Sequence, residues 1–365
     1  MSEVLRIVIA GGGTGGHLYP GIAVAREILR RKPDAMISFA GTSRGIEARA
    51  VPREGFPLDL LRSSGLKGKS VIDRIRAAAL IPVGLADAWR IIGRRRPHLV
   101  IGVGGYSSGP VVAAAAMRGV PAMLLEQNAV PGLTNRLLAP ASRAVAVTFE
   151  STRRFFGEKS FVSGNPVRPE FLSAAGGKES RASDGASGVG VLVFGGSQGA
   201  HAINVAMVEA AAKLAADSRI RLTHQTGERD LEMVRAAYRQ AGLQAEVEPF
   251  FYDMGQRLAA ADLIVCRAGA TTLAELTAAG KPAILIPLPT ATDDHQRKNA
   301  EALSSEGAAA MLLQAELTGP VLAERILKLA ADSEARRAMA TAARTLARPD
   351  AARVIVDRAL QLAGH

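Results

Sequence analysis

"RIVIAGGGTGGHLYPGIAVAREILRR", residues 6–31, decides the fold. Its opening is an uninterrupted, β-branched apolar run, the pattern of a strand buried on both faces of a parallel sheet. From Pro20 onward the apolar residues fall at helical spacing. Between strand and helix, five of the six residues 11–16 are glycine. Glycines let a backbone turn tightly and approach a ligand closely, and the N–H groups that open the next helix form a ready anion site. A purely structural turn would use the same residues. His17 follows at once, and an imidazole there suits removal of a proton near neutral pH. A helix-capping or core histidine is the other reading.

The unit recurs along the chain. "HLVIGVGGYSSGPVVAAAAMRG" (98–119) is again strand, loop and helix, with "PAMLLEQNAVPG" (121–132) and "AVAVTF" (144–149) as further strands. "NPVRPEFLSAAGGKESRASDGASG" (165–188) is rich in Gly, Ser and charge and reads as a connector. Alternation restarts at "VGVLVFGGSQGAHAINVAMVEAAAKLA" (189–215) and runs through "RLTHQTG", "AEVEPFF", "LIVCRAGATTLAELTAAG" and "PAILIPLP". The expected fold is therefore α/β: two Rossmann-like, doubly wound domains facing across a cleft, with ligands at the carboxyl ends of the strands. We place an N-terminal domain at 1–165, a connector at 166–189, a C-terminal domain at 190–345, and a closing helix at 346–365 that crosses back to the first domain.

Composition narrows the partners. Over 365 residues, 45 Lys and Arg stand against 34 Asp and Glu, a formal charge of +11, which points to an anionic partner. Aromatics are only 4%, and no basic stretch carries interleaved Phe or Tyr, which disfavours nucleic acid. The one cysteine, Cys266, excludes an internal disulfide and suits a reducing compartment. The apolar run near the N-terminus is too short for a signal-peptide core, so a cytoplasmic location is expected. Residues 99–117 reach membrane-spanning length without charge, but "GVGGYSSGP" breaks them, and they read as strand, loop and helix.

The first glycine loop is not the dinucleotide fingerprint, because "ISFAGTSRG" (37–45) ends the second strand without the acidic residue that would hold a ribose. Nor is it a Walker loop, since no GK[ST] follows. In the second half, small residues open the helix of "RAGATTLAELTAAGKP", where Glu275 is placed to accept ribose hydroxyls. Gln296 of "TDDHQRKNA" can pair with sugar hydroxyls. Both also read as ordinary helix-surface residues. Asp293 and Asp294 have no third ligand in view, and no metal is expected.

Seven stretches, "GGTGGHLYPGIAVA", "GVGGYSSGP", "EQNAVPGLTNRLLA", "SGNPVR", "VFGGSQGA", "CRAGATTLAEL" and "DDHQRKNA", occur in the order and approximate spacing of the MurG family, which the chain resembles from about residue 6 to 315. That family consists of bacterial transferases moving N-acetylglucosamine from UDP-GlcNAc onto undecaprenyl-pyrophosphoryl-MurNAc-pentapeptide (lipid I) to make lipid II. The resemblance implies a GT-B glycosyltransferase in peptidoglycan synthesis. It further implies an acceptor-binding first half, a donor-binding second half, and association with other cell-wall and division proteins. It implies Thr14, Gly15 and Gly16 at the substrate phosphates and Asn128 at the donor sugar. It implies Arg168 and Ser197 near the diphosphate, Phe251 offering backbone to uracil, Ala270, Thr271, Thr272, Leu273, Ala274 and Glu275 cradling diphosphate and ribose, and Gln296 reading the sugar. The family inverts the anomeric centre, so the acceptor hydroxyl must lose a proton. His17 is the expected general base, with Glu126 as the second candidate.

"LKGKSVIDRIRAAALIPVGLADAWRIIGRRRP" (66–97) places Ile72, Ile75, Ala79, Leu80, Val83, Ala86 and Trp89 near one helical face, with Lys67, Lys69, Arg74 and Arg76 beside them. Trp89 is the only tryptophan, and an indole among basic residues suits a lipid headgroup region. Peripheral binding to an anionic surface, on the cytoplasmic face of the bacterial inner membrane, is expected. An amphipathic helix packed on the first domain is the alternative, and Pro82 is expected to split the segment into two short helices. Other functional readings are a UDP-GlcNAc 2-epimerase-like isomerase and a UDP-sugar transferase with a soluble acceptor.

Overall fold

The computed structural model describes residues 3–63, 71–168, 171–172, 188–196 and 199–365. It divides into two compact units, Met1–Val167 with Arg348–His365, and Arg168–Ala347.

The first unit is built on seven parallel strands: β1 (Arg6–Ala10), β2 (Met36–Gly41), β3 (Leu58–Leu60), β4 (Leu99–Gly102), β5 (Ala122–Glu126), β6 (Ala144–Val147) and β7 (Ser160–Val162). Their spatial order is β3-β2-β1-β4-β5-β6-β7. Helices α1 (Gly15–Arg31), α2 (Glu47–Arg53), α3 (Val71–Arg95), α4 (Ser108–Met117) and α5 (Leu133–Leu138) link them. The period of two in β1 sorts its side chains: Ile7 and Ile9 join the apolar layer containing Leu18, Ile22 and Ile28 of α1, and Val8 and Ala10 join the layer containing Ile91, Val111 and Val112 of α3 and α4. Strand order reverses at β1, where Ala10 lies beside Ala40 on one side and Gly102 on the other. The loops leaving β1 and β4 therefore emerge together at the switch point where such sheets bind ligands.

Pro82 sits inside α3, a single helix from Val71 to Arg95, so the expected split into two helices does not occur. Pro82 is exposed, and a proline inside a helix removes one hydrogen bond of the ladder without necessarily ending it. Lys67 and Lys69 lie outside the described residues, as do the side chains of Ile72, Arg74, Ile75, Arg76 and Ala79.

The second unit repeats the plan with β8 (Val189–Phe194), β9 (Ile220–Gln225), β10 (Ala245–Glu248), β11 (Leu263–Cys266), β12 (Ala283–Leu285) and β13 (Ala310–Met311), all parallel, in the order β10-β9-β8-β11-β12-β13. Its helices are α6 (His201–Ala215), α7 (Leu231–Ala241), α8 (Met254–Ala260), α9 (Ala270–Ala279), α10 (His295–Ser304), α11 (Gly319–Ala331) and α12 (Ser333–Thr345). Val191, Val193, Leu263 and Val265 share a core with Ile203, Met207 and Leu214 of α6 and Leu322 and Ile326 of α11. Here the switch point lies between β8 and β11, from which the "GGSQGA" and "RAGATT" loops depart. The final helix, α13 (Ala351–Ala363), belongs to the first unit, where it packs on α1 and buries Ile355, Val356 and Ala359.

Candidate active site

The two loops at the first unit's switch point pack backbone against backbone. A Cβ on Gly11 (φ +146°) would meet the carbonyl oxygen of Gly104, and one on Gly105 (φ +78°) would meet that of Gly12. Glycine is required by close approach as well as by dihedral angle. Thr14 is the extended, exposed residue that precedes α1, and Gly15 and Gly16 form the first turn, which contains no acidic side chain. The positive end of the helix therefore has no counter-charge within its own first turn.

His17 lies in the same turn. Its Nδ1 is 3.2 Å from Oε1 of Gln127, while Nε2 of Gln127 donates to the carbonyl of Val103 at 3.0 Å. Because only the amide nitrogen can donate to Val103, the amide orientation is set and Oε1 faces the imidazole. Oε1 can only accept, so Nδ1 carries the proton and Nε2 holds the ring's basic lone pair. In sequence Gln127 is only the middle residue of "EQN", with no local sign of a partner 110 residues away.

Glu126 is committed differently. It is buried, its Oε1 accepts from the backbone N–H (3.0 Å) and Nδ2 (3.3 Å) of Asn128, and its Oε2 accepts from Gly132 N (3.0 Å) and Asn135 Nδ2 (2.9 Å). Four donors satisfy both oxygens, an arrangement that holds the "QNAVPG" turn and Asn128 in place. A second acidic residue in this unit, Glu47, went unnoticed in sequence: it is buried beneath the glycine loop and accepts the N–H of Gly13 at 2.8 Å.

In the second unit, Ser197 lies outside the described residues. The glycine loop there is fastened by Gln225, whose Nε2 donates to the carbonyl of Gly196 at 3.0 Å and whose Oε1 accepts the N–H of Phe251 at 2.8 Å. The N–H of Phe251 is thus already engaged, and its side chain is buried against Arg257 (3.8 Å from guanidinium to ring). Of the backbone groups assigned to uracil at that position, the carbonyl remains.

Helix α9 opens after Gly269 with Ala270, Thr271 and Thr272, and its first turn holds no acidic residue. Thr271, Thr272 and Ala274 are partly exposed, whereas Leu273 points into the core, so only its backbone is available to a ligand. Arg168 and Glu275, read separately in sequence, are brought together: Nη2 and Nε of Arg168 reach Oε1 of Glu275 at 3.0 and 3.3 Å. Both donors use one carboxylate oxygen, and Glu275 is largely buried. Gln296 holds the rim, since its Oε1 accepts from Ala268 N (3.2 Å) and Leu288 N (3.0 Å), tying the ends of β11 and β12 together.

Behind the second glycine loop runs a polar network. Nδ2 of Asn204 donates to Asp230 (2.8 Å) and to the carbonyl of Thr226 (2.9 Å), so its Oδ1 accepts from Nε2–H of His224 (3.1 Å), and Nδ1 of His224 accepts the Tyr238 hydroxyl (2.7 Å). Burial pushes the His224 pKa down to about 3, because the interior disfavours the charged imidazolium by more than the nearby Asp230 favours it. Asp230 also meets Nδ1 of His201, the first residue of α6, at 3.0 Å. Burial works against the Asp230 charge, but the bonds from Asn204 and His201 outweigh it and hold its carboxyl below the usual range. A cavity of about 300 Å³ lined by Arg6, Met36, Ser38, Phe56 and Arg95 lies at the opposite, amino ends of β1 and β2, and holds none of these residues.

Comparison with known proteins places this geometry. Residues 7–147 match the glycosyltransferase family 28 N-terminal domain and 190–355 the family 28 C-terminal domain. A UDP-N-acetylglucosamine–N-acetylmuramyl-(pentapeptide) pyrophosphoryl-undecaprenol N-acetylglucosamine transferase of Pelobacter propionicus is 50% identical, covering 98% of this chain and 99% of the relative. The enzyme of the same name from Myxococcus xanthus is 46% identical, covering 98% and 93%. The crystal structure of Acinetobacter baumannii MurG matches with a TM-score of 0.79 at 31% identity, covering 97% of this chain and 98% of that one. A putative UDP-N-acetylglucosamine 2-epimerase from Listeria monocytogenes matches at 0.68 with 14% identity, over 99% and 96%, which is likeness of fold alone. With two doubly wound parallel sheets, a glycine loop after the first strand of each, and relatives of half-identical sequence over nearly its full length, the chain belongs to the MurG family of GT-B glycosyltransferases.

Proposed function

We propose that this protein transfers N-acetylglucosamine from UDP-GlcNAc to the C4 hydroxyl of MurNAc in undecaprenyl-pyrophosphoryl-MurNAc-pentapeptide, converting lipid I to lipid II with inversion. Membership of the family supports the substrates. The observation that carries the chemistry is the fixed tautomer of His17, whose Nε2 lone pair follows from the Gln127 and Val103 contacts. That nitrogen takes the proton of the attacking hydroxyl. Glu126, with both oxygens saturated, serves the turn that carries Asn128 to the donor sugar.

As UDP leaves, negative charge gathers on the diphosphate. The start of α9 and the guanidinium of Arg168 stabilise it, and Thr14, Gly15 and Gly16 at the start of α1 meet substrate phosphates. Glu275 accepts the ribose hydroxyls while orienting Arg168, and Gln296 contacts the sugar. Charge stabilisation of this kind needs no bound metal.

The acceptor's lipid requires a membrane surface. Among the described residues no helix is long and apolar enough to cross a membrane. Packed neighbours α3, α4 and α5 expose Ile81, Trp89, Met117, Leu133 and Leu137, with Arg118 stacked over the Trp89 ring at 4.0 Å. Apolar side chains beside guanidinium groups suit peripheral docking to anionic lipid. Leu80 and Val83 are partly exposed on the same helix.

Transfer of labelled GlcNAc to a lipid I analogue, with EDTA present, tests the reading. Acceptor-dependent lipid product is the expected result. UDP release or N-acetylmannosamine formation without acceptor would instead assign the chain to the epimerase class.

A further inference from the structure

The acidic residue that a dinucleotide-binding fold keeps at the end of its second strand is absent here, and a carboxylate sits elsewhere. Glu47, in the first turn of α2, is 0% exposed. Its Oε2 accepts the N–H of Gly13 at 2.8 Å, and its Oε1 accepts the N–H and the hydroxyl of Thr42, each at 2.9 Å. The surroundings are shaped to this group, since a Cβ on Gly12, Gly41 or Gly45 would collide with the Glu47 side chain. Burying a carboxylate is costly unless its lone pairs are taken, and here one of the compensating bonds comes from the glycine loop itself.

We propose that Glu47 is a positioning residue for the transfer reaction, an internal anion that occupies the Gly13 N–H and sets the course of loop 11–16. The incoming phosphate is then directed past Gly13 to Thr14, Gly15 and Gly16, at the turn that carries His17. The proposal rests on the reading of this loop as a phosphate contact. It accounts for a carboxylate lying under a loop that is to receive anions: with the Gly13 donor occupied, a phosphate has one place to dock rather than two. Gly12, Gly41 and Gly45 fall into the same account, because each yields the volume that the carboxylate fills.

Glu47→Gln is the informative change. The amide has one accepting oxygen; kept on Thr42, it turns its NH2 toward the Gly13 N–H, donor against donor. The expected result is a loss of at least tenfold in kcat/KM for the lipid I analogue, with the Kd of UDP measured by calorimetry within twofold of wild type and a melting temperature lowered by the unpaired Gly13 N–H but still above the assay temperature. Thr42→Val keeps the Gly13 bond but removes one of the three donors, and should show a loss of about threefold in the same parameter alone. Unchanged acceptor kinetics in both variants overturns the proposal. So does a parallel weakening of UDP binding, which marks a general structural role. If Glu47→Gln does not fold, Thr42→Val carries the decision on the same criteria. Thr14→Ala, on the loop but not in contact with Glu47, separates the two layers. If it weakens acceptor kinetics and the others do not, only the positioning role fails; if none of the three does, the phosphate reading of the loop fails with it.

Discussion

Replacing Gln127 with Leu should slow turnover by up to about twofold while leaving UDP affinity unchanged. The side chain is buried and makes two bonds, one accepting from His17 at 3.2 Å and one donating to Val103 at 3.0 Å. A neutral hydrogen bond of this kind contributes about 0.5–1.5 kcal/mol net, which biases the imidazole tautomers by roughly two- to tenfold toward the form with its lone pair on Nε2. With that bias the competent tautomer is roughly 70–90% of the neutral imidazole and without it about half, so its loss lowers the competent fraction by up to about twofold. Loss of the base itself, in His17→Ala, should cost about 10²–10⁴-fold. The Val103 carbonyl loses its donor in Gln127→Leu, a cost of about 1–3 kcal/mol that a domain stable by about 5–15 kcal/mol tolerates. The assay is kcat at saturating UDP-GlcNAc and lipid I analogue for wild type, both single variants and the double variant. If Gln127 acts through the His17 tautomer, its effect vanishes once His17 is gone. That role is refuted if Gln127→Leu slows the His17→Ala enzyme by the same factor. Turnover of His17→Ala within threefold of wild type would remove His17 from the base role altogether.

Acid should destabilise the second unit through His224. Its folded pKa of about 3 lies below the ordinary histidine value of about 6.5, so between those values the unfolded chain binds the extra proton. Stability from this site is complete above pH 6.5 and falls as pH drops toward 3, by about 2 kcal/mol at pH 5; urea titrations should show a flatter pH dependence in His224→Gln, and an unchanged slope would contradict the assignment. Glu275→Gln should weaken UDP binding about tenfold by calorimetry, since the ribose loses a charged acceptor and Arg168 loses the partner 3.0 Å away. An unchanged Kd would remove Glu275 from the donor site. Ile81→Glu, at a position 53% exposed on α3, should reduce cosedimentation with anionic vesicles several-fold while transfer to a soluble acceptor analogue persists; equal binding would exclude that face.

The alternation of strand, glycine loop and helix was legible because strands buried on both faces read as continuous apolar runs, as in β1 and β8. Pro82 misled, because a proline removes only one hydrogen bond of the ladder, and α3 continues on both sides of it. Local pattern was enough to place Thr14 just before α1 and Glu275 on the helix that follows β11. The site was opaque where the partner is remote: Gln127 meets His17 across 110 residues, Gly13 meets Glu47 across 34, and Phe251 meets Gln225 across 26. No local pattern encodes such pairs, since each depends on which strands become neighbours in the sheet.

The return of α13 to the first unit bears on how the chain is made. Ile355, Val356 and Ala359 complete an apolar layer whose other members lie before residue 150. During synthesis the ribosome must pass through about 180 residues of the second unit before those side chains emerge, on the order of ten to forty seconds at about 5–20 residues per second. Throughout that interval the α1 face of the first sheet waits with one wall missing, while Arg168–Ala347 is contiguous and can close on its own. The second unit has its whole core in hand before the first does, although it is translated second, and nascent chains halted before residue 351 lack the side chains that cover the α1 face.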